Sequence, residues 1–257
     1  MAHQLPTIIY EDILPTRDYL REICLVLGSI QRTFLAKDPH DWHYGLVVNV
    51  RGIVTQSFMT NEGEMNVSLD LVRHKVRVGN TSWALSEYTP LEIYNNLAAW
   101  FEHHAVSTPI ISPKFTYSPH GYSDAQATGY AQALWWLNSE FMKLKDQLSE
   151  GFTSPIYLYP HHFDLSLVWF PFSDERQLAI GFSTGDDVIS EPYLYLTAFP
   201  QLHGFHRIAK PDEAYFQTTG FSGLVLPYSY LSESRDPHEL FTVYGLQSLL
   251  SARKLFS

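Results

Sequence analysis

The sequence of 257 residues has a single cysteine, Cys24, and no run of Lys and Arg longer than two residues. One cysteine excludes an internal disulfide and every metal site built from several cysteines, and it fits a reducing, cytoplasmic location. The scarcity of clustered positive charge, with a formal net charge of −10, argues against nucleic acid as a partner. No apolar run approaches the roughly 18 residues of a membrane helix, so we expect no membrane partner.

The sequence is rich in aromatic residues, which make up 15% of the chain. Large flat side chains suit the pleated surface of a sheet, and we therefore expect much β-structure. The amino terminus, MAHQLPTIIYEDILP, places acidic residues where a signal peptide would have its apolar core. This pattern does not predict secretion.

Hydrophobic periodicity divides the chain into helices and strands. Residues 19–35 place Tyr19, Ile23, Val26, Leu27, Ile30 and Phe34 on one helical face. The stretches WHYGLVVNV, EMNVSLDL, KVRVGN and SWALS then alternate as four strands. Thr89, Pro90 and Glu92 form a capping box that begins a helix to about His104.

The second half repeats this order. An amphipathic helix begins near Ser123, strands are predicted at about 155–170, 176–183, 193–199 and 217–228, and Asp236-Pro237 begins a last helix. We predict an α+β fold with a duplicated unit of helix, four-strand antiparallel sheet and helix, and with helices packed on the sheet faces. The halves are 17–105 and 124–254, joined by a linker at 106–123, either as one globular domain or as two tightly packed pseudo-repeats.

Two motifs suggest specific chemistry. His162 and Asp164, two residues apart on a predicted strand, could supply two ligands of a facial-triad metal site, with His203 or His206 as the third. The alternative is a polar, solvated strand face. Gly181 to Gly185 matches the G-x-S-x-G pattern around Ser183, but no helix is predicted directly afterwards, which favours a β-turn over a nucleophile elbow.

Several ionisable residues lie on strands that are otherwise apolar: Arg51, Asp70, His74, Asp164 and Glu191. An antiparallel sheet often has one solvated face, and these side chains could simply line it. Alternatively the face is covered, so that Arg51 pairs with a carboxylate and orients a ligand while His74 or Asp164 moves protons. Both interpretations stay open on the sequence.

Short motifs in a shared order carry a family resemblance. They are Trp42-His43, Arg51-Gly52 with Ser57, Leu69-Asp70 with His74, Ser154-Pro155, Phe163-Asp164-Leu165, Gly181-Phe182, Glu191-Pro192-Tyr193 with Tyr195 and Pro200, Leu226-Pro227-Tyr228, and Asp236-Pro237. From about Trp42 to about Leu250 the chain resembles an uncharacterised bacterial family, catalogued as domain of unknown function 5996. The family pattern looks like Gly-Ser where this chain has His161-His162, and it has a tryptophan at Ser183. The resemblance implies a shared fold and names no reaction.

We therefore predict a protein that binds or acts on a small organic molecule in a sheet-lined aromatic pocket. The catalytic candidates are His74 and Asp164, and the ligand-binding candidates are Arg51, Asp70, Tyr195 and Glu191. One alternative is a noncatalytic protein-interaction module, which predicts a flat apolar patch. The other is a metal-dependent enzyme using His162 and Asp164 with His206. The sequence requires no cofactor and predicts no oligomeric state.

Overall fold

A computed structural model describes residues 5–104, 110–115, 121–172 and 174–256. The chain divides into two compact units. The first unit comprises Glu11–Ala131 and Tyr157–Phe163, and the second comprises residues 1–10, Gln132–Ile156 and Asp164–Ser257. Part of the predicted linker at 106–123 lies outside the described residues.

Helices and antiparallel strands share the chain. The α-helices are α1 (Tyr10–Phe34), α2 (Pro90–His103), α3 (Asp124–Gln147), α4 (Tyr228–Glu233), α5 (Pro237–Thr242) and α6 (Ser248–Arg253). The strands are β1 (Val47–Asn49), β2 (Gly52–Val54), β3 (Phe58–Thr60), β4 (Gly63–Met65), β5 (Val67–Asp70), β6 (Lys75–Val78), β7 (Thr81–Ala84), β8 (Phe152–Thr153), β9 (Tyr157–Tyr159), β10 (Asp164–Phe170), β11 (Gln177–Ser183), β12 (Tyr193–Phe199), β13 (Tyr215–Gln217) and β14 (Gly223–Pro227).

The first unit contains a five-stranded antiparallel sheet in the order β1-β2-β5-β6-β7, and β3 and β4 form a separate hairpin. Alternation places Val67 and Leu69 in the core while Ser68 lies on the other face. The predicted apolar face of α1 is confirmed, since its members from Tyr19 to Ile30 are buried, and Phe34 stacks on Phe58 at 4.7 Å between ring centroids. The predicted capping box of Thr89 at the start of α2 is also confirmed.

The second unit contains strands in the order β13-β14-β12-β11-β10-β8. Period-two alternation buries one face almost completely, for example Leu165 and Leu167 of β10 with Ile180 of β11. Helical residues pack against this face, because a Cβ added at Gly245 would lie 3.2 Å from the Leu144 side chain and 3.5 Å from that of Ile180.

The structure does not have the predicted four strands in each half. The segment 155–170 is interrupted by a turn at 160–163, and 217–228 contains only the end of β13 before β14. The predicted alternation of side chains is present, but short turns divide the predicted strands. Hydrophobic periodicity does not detect such turns, because they span only a few residues. Antiparallel sheets with helices, the coarser prediction, are confirmed.

The ionisable residues that we predicted on strands lie mostly in turns. Arg51, His74 and Glu191 are outside the strands, and only Asp70 and Asp164 are strand residues, each at a strand end. Within the described part of the chain, no helix is long and apolar enough to span a membrane.

Candidate functional site

Arg51 and Asp70 form an ion pair in the first unit. Arg51 lies in the turn between β1 and β2, and its Nε and Nη2 donate to Asp70 Oδ2 at 3.1 and 2.5 Å. Asp70 Oδ1 accepts from the backbone amides of Val72 and Arg73 at 3.2 and 2.9 Å. The buried carboxylate therefore receives four donors from the protein itself, and its evident role is to hold two turns together.

His74 ends the turn between β5 and β6 with a positive φ of 53°. Its Nδ1 lies 2.8 Å from the Tyr122 hydroxyl and 3.8 Å from Asp124 Oδ1. Its Nε2 lies 3.5 Å from the Thr128 hydroxyl. Burial, and secondarily the charge of Asp124, raises the pKa of Tyr122, so that this phenol stays protonated beside the imidazole.

Asp164 and Tyr195 meet on the less apolar face of the second unit's sheet. The register pairs Ser166 with Gly181 and Gly181 with Tyr195, so the Tyr195 ring crosses the glycine towards β10. A Cβ at Gly181 would lie 2.3 Å from that ring, which explains the glycine. The Tyr195 hydroxyl donates to Asp164 Oδ2. Burial, followed by the charge of Asp164 and this hydrogen bond, raises the pKa of Tyr195 far above its usual value.

A second tyrosine of the same sheet face makes a similar pair. Tyr193 is buried, and its hydroxyl donates to Asp186 Oδ2 at 2.8 Å. Burial first, and Asp186 next, raises the pKa of Tyr193. The Tyr193 ring packs in an apolar cluster with Ile189 and Val225. The aromatic residues that we predicted as pocket walls thus pack against their neighbours on this sheet face.

Glu191 lies beside this face, in the loop before β12. Partial burial raises the pKa of its carboxyl. Its charge is also close enough to Tyr215 to raise the pKa of that phenol, an effect second to burial. The structure therefore relates Glu191 to Tyr215, and the prediction that Glu191 binds a ligand stays a prediction.

The structure moves His162 off a strand. It lies in the turn at 160–163 and is exposed, Phe163 has a positive φ of 53°, and β10 begins only at the buried Asp164. The placement of a His-x-Asp pair on one strand face was therefore wrong, because the turn breaks the period-two alternation. In the ranges that the structure describes, no three His, Cys, Asp or Glu side chains are grouped to hold a metal ion, so no third ligand such as His206 is assembled.

Ser183 is the last residue of β11 and is buried. Its hydroxyl accepts a hydrogen bond from the Gly185 amide at 3.1 Å, and the chain continues into a loop. No helix follows in this described stretch, so the G-x-S-x-G match is the end of a strand and a loop, and it lacks the strand-turn-helix context of a nucleophile elbow.

A cavity of about 360 Å³ lies against α1 in the first unit. We call it the α1 cleft, and it is defined by Arg21, Leu25, Arg32, Tyr44, Lys114 and His161. Prolines 113 and 160 and Ile111 add apolar wall. Arg21, through Nε and Nη2, donates to the His161 carbonyl at 3.2 and 3.0 Å and so fixes the turn that forms one side.

Close packing brings that turn onto the helix. A Cβ added at Gly28 would lie 3.1 Å from Pro160 Cγ, so the glycine allows the turn to approach α1. The Arg32 guanidinium carbon lies 5.5 Å from the centroid of the Tyr44 ring, and this ring lies edge to face with that of His161 at 6.1 Å between centroids. The cleft is thus shaped by contacts between residues of the protein itself.

Sequence reasoning missed the α1 cleft. One signal was available, because Arg21, Leu25, Gly28 and Arg32 follow each other at spacings of four, three and four, and therefore form one stripe along a helix. The rest was not readable, since Tyr44, Lys114 and His161 reach the stripe only through tertiary folding.

The polar face of the first unit's sheet forms a second concavity, of about 470 Å³. We call it the sheet groove, and it is defined by Asn49, Arg51, Glu64, Asn66, Asp70 and Arg77. It brings the predicted Arg51 and Asp70 to a concave surface. Its walls mix both signs of charge, and those two residues are bound to each other.

The fold and these sites define a mixed α/β protein built on antiparallel sheets, with a cleft against its first helix. The chain belongs to the family of unknown function DUF5996, which matches residues 5–177 and 171–252. This confirms the family resemblance of the short motifs. No curated protein and no solved structure matches the chain.

Proposed function

We propose that the protein binds a small organic molecule in the α1 cleft. The observation that carries the proposal is a cavity of about 360 Å³ whose walls are mainly apolar and whose few polar groups converge on it. Small-molecule sites in proteins have this character, with volumes of roughly 300–1,000 Å³. The cleft lies near the lower end of that range, which favours a compact ligand.

The other predicted residues support this choice by their contacts. The Asp70 carboxylate accepts hydrogen bonds from Arg51 and two backbone amides, and the Asp164 carboxylate accepts one from the Tyr195 hydroxyl. A ligand that approached Asp70 would have to displace a hydrogen bond of the protein, which costs about as much as it gains. Binding in the α1 cleft requires no such exchange, so we prefer this cleft, and the sheet-lined pocket stays a prediction.

The test is to fill the cleft. Leu25→Trp places a large ring in it, and Leu91→Trp makes the same change at an exposed leucine of α2. Asn66→Trp obstructs the sheet groove instead. Thermal unfolding is then followed against a panel of neutral metabolites, carboxylates and phosphate esters, and native mass spectrometry detects molecules that remain bound after purification.

We expect at least one compound to raise the melting temperature of the wild type by about 5 °C at a hundredfold excess over Kd. Leu91→Trp and Asn66→Trp should keep that shift, and Leu25→Trp should lose it. Failure of the whole panel, or a shift that survives in Leu25→Trp, overturns the proposal. A shift lost only in Asn66→Trp would move the ligand to the sheet groove.

Catalysis by His74 or Asp164 stays a separate prediction. His74 is held beside Tyr122 and Asp124, which is an arrangement able to transfer a proton. Once a ligand is identified, its conversion by the wild type and by His74→Gln tests this role. Equal rates would remove His74 from any mechanism, and a loss without a change in melting temperature would support it.

We also infer that the chain contains an internal duplication, in a looser form than four strands per half. Each half begins with a long helix, continues with antiparallel strands, and ends in a helix begun by a capping residue and a proline, at Thr89-Pro90 and at Asp236-Pro237. An experimental structure in which β5 to α2 superposes on β11 to α5 would support it. Failure of these two segments to superpose would reject it.

A further inference from the structure

We propose that the ligand of the α1 cleft is an organic anion, bound through a carboxylate or phosphate group by Arg32 and Lys114. This inference rests on the proposed function and adds the chemical class of the ligand. Of the twelve residues that line the cleft, three are Arg or Lys, one is His161, and none is Asp or Glu. Such a collection stands out in a chain whose formal net charge is −10.

Arg32 is the residue best placed to recognise the charge. Among the described residues it makes no ion pair, and its guanidinium lies over the Tyr44 ring at 5.5 Å. A guanidinium held against an aromatic face keeps the donors at its edge available for a planar, bidentate acceptor. Carboxylate and phosphate groups are the acceptors that match this geometry.

Arg21 has a different role. Two of its donor groups are bound to the His161 carbonyl, so it holds the turn in place while adding positive charge. We regard Arg21 as a positioning residue. Lys114 is an exposed residue of the cleft lining and can provide a second, more mobile charge.

His161 responds to this electrostatic environment. Burial lowers the pKa of its imidazole first, and the nearby charges of His162, Arg32 and Arg21 lower it further. These neighbours resist one more positive charge, and an anion in the cleft would relieve that repulsion. The same arrangement therefore disfavours a cationic ligand.

The body of the ligand should be apolar or aromatic. Leu25, Pro113 and Pro160 form apolar wall next to the charged groups. A small ring or short chain that ends in an acidic group fits both the walls and the volume of about 360 Å³.

The experiment compares charged probes with neutral ones of the same shape. Isothermal titration measures benzoate against benzamide, and phenyl phosphate against phenol, at low salt. The variants are Arg32→Gln and Lys114→Gln, with Arg73→Gln as the control, because Arg73 is an exposed arginine of the same unit outside the cleft. Leu25→Trp reports whether any binding occurs in the cleft at all.

We expect at least one anion to bind about tenfold or more tightly than its neutral partner. Arg32→Gln should weaken that anion by about tenfold or more and Lys114→Gln by less, while Arg73→Gln should have no effect. If the neutral probes bind as tightly as the anions, and if only Leu25→Trp prevents their binding, the anion inference is overturned. The cleft then remains the binding site. Anions bound equally by Arg32→Gln would overturn the anion inference too. If none of the four probes binds, the anion inference is overturned. The metabolite panel by itself then decides whether the cleft binds a small molecule.

Discussion

The two compact units use their charged side chains in different ways. In the second unit, Asp164 accepts from Tyr195 and Asp186 accepts from Tyr193, so each carboxylate is committed to a phenol of the same sheet face. In the α1 cleft of the first unit, Arg32 and Lys114 form no ion pair among the described residues. In these two regions, the carboxylates beside the sheet face are satisfied by the fold, whereas the charges beside the cavity are available to a ligand.

The largest effect should come from breaking the committed pair. Asp164→Ala removes a charged acceptor and leaves the Tyr195 hydroxyl without it, so we expect a loss of about 3 kcal/mol in the free energy of unfolding, measured with urea. Asp187→Ala, at an exposed aspartate, should change it by less than about 0.5 kcal/mol. If Asp164→Ala is instead more stable than the wild type, Asp164 is a charge kept for function and not for stability. Removing a strained catalytic charge often stabilises an enzyme.

The Arg51 and Asp70 pair allows a finer comparison within the first unit. Asp70 is nearly buried, with a side-chain exposure of 4%, whereas that of Arg51 is 47%. We expect Asp70→Ala to lose about 2 kcal/mol, because two backbone amides of the turn lose their acceptor together with the ion pair. Arg51→Ala should lose less, about 1 kcal/mol, because the buried Asp70 carboxylate then loses the guanidinium but keeps its two backbone amides.

Asp70→Asn separates these two contributions. Its side-chain oxygen can still accept from the amides of Val72 and Arg73, so the loss should fall between those of Asp70→Ala and Arg51→Ala. Urea unfolding of the three variants measures this order. Equal losses for Arg51→Ala and Asp70→Ala would mean that the ion pair, and not the turn, carries the stability.

The smallest effect should be the pH dependence from His161. The groups that face it are Arg21 and Arg32 from α1, Tyr44, Lys114 and the adjacent His162. Because its folded pKa lies below the ordinary value near 6.5, the unfolded chain binds the proton more readily. Stability from this group is therefore present above about pH 6.5 and decreases as the pH falls towards the folded pKa.

Urea midpoints at pH 7.5 and 5.5 measure that effect. His161→Gln should lose less stability over this interval than the wild type, and Arg32→Gln should also lose less because one source of repulsion is gone. Arg73→Gln should match the wild type. If His161→Gln loses as much stability between pH 7.5 and 5.5 as the wild type does, the electrostatic description of the cleft is wrong.

Much of the fold could be predicted because period and capping act locally. The buried stripe of α1 follows from a repeat of 3.6, and Thr89 begins α2 because its side chain accepts from the Glu92 amide. His162 was misplaced because nothing in the apolar pattern around it marks the turn at 160–163. Pro160, the first residue of that turn, is the signal that could have marked it, because proline favours turns and cannot donate a strand hydrogen bond.

By itself, the sequence determined which faces of the helices and strands are apolar, where two helices begin, and to which family the chain belongs. Only the tertiary structure decided which charges pair and which lie beside a cavity. Arg21 and His161, which meet in the α1 cleft, are 140 residues apart. Contacts at that separation depend on how whole elements pack, and no local pattern of residues encodes them.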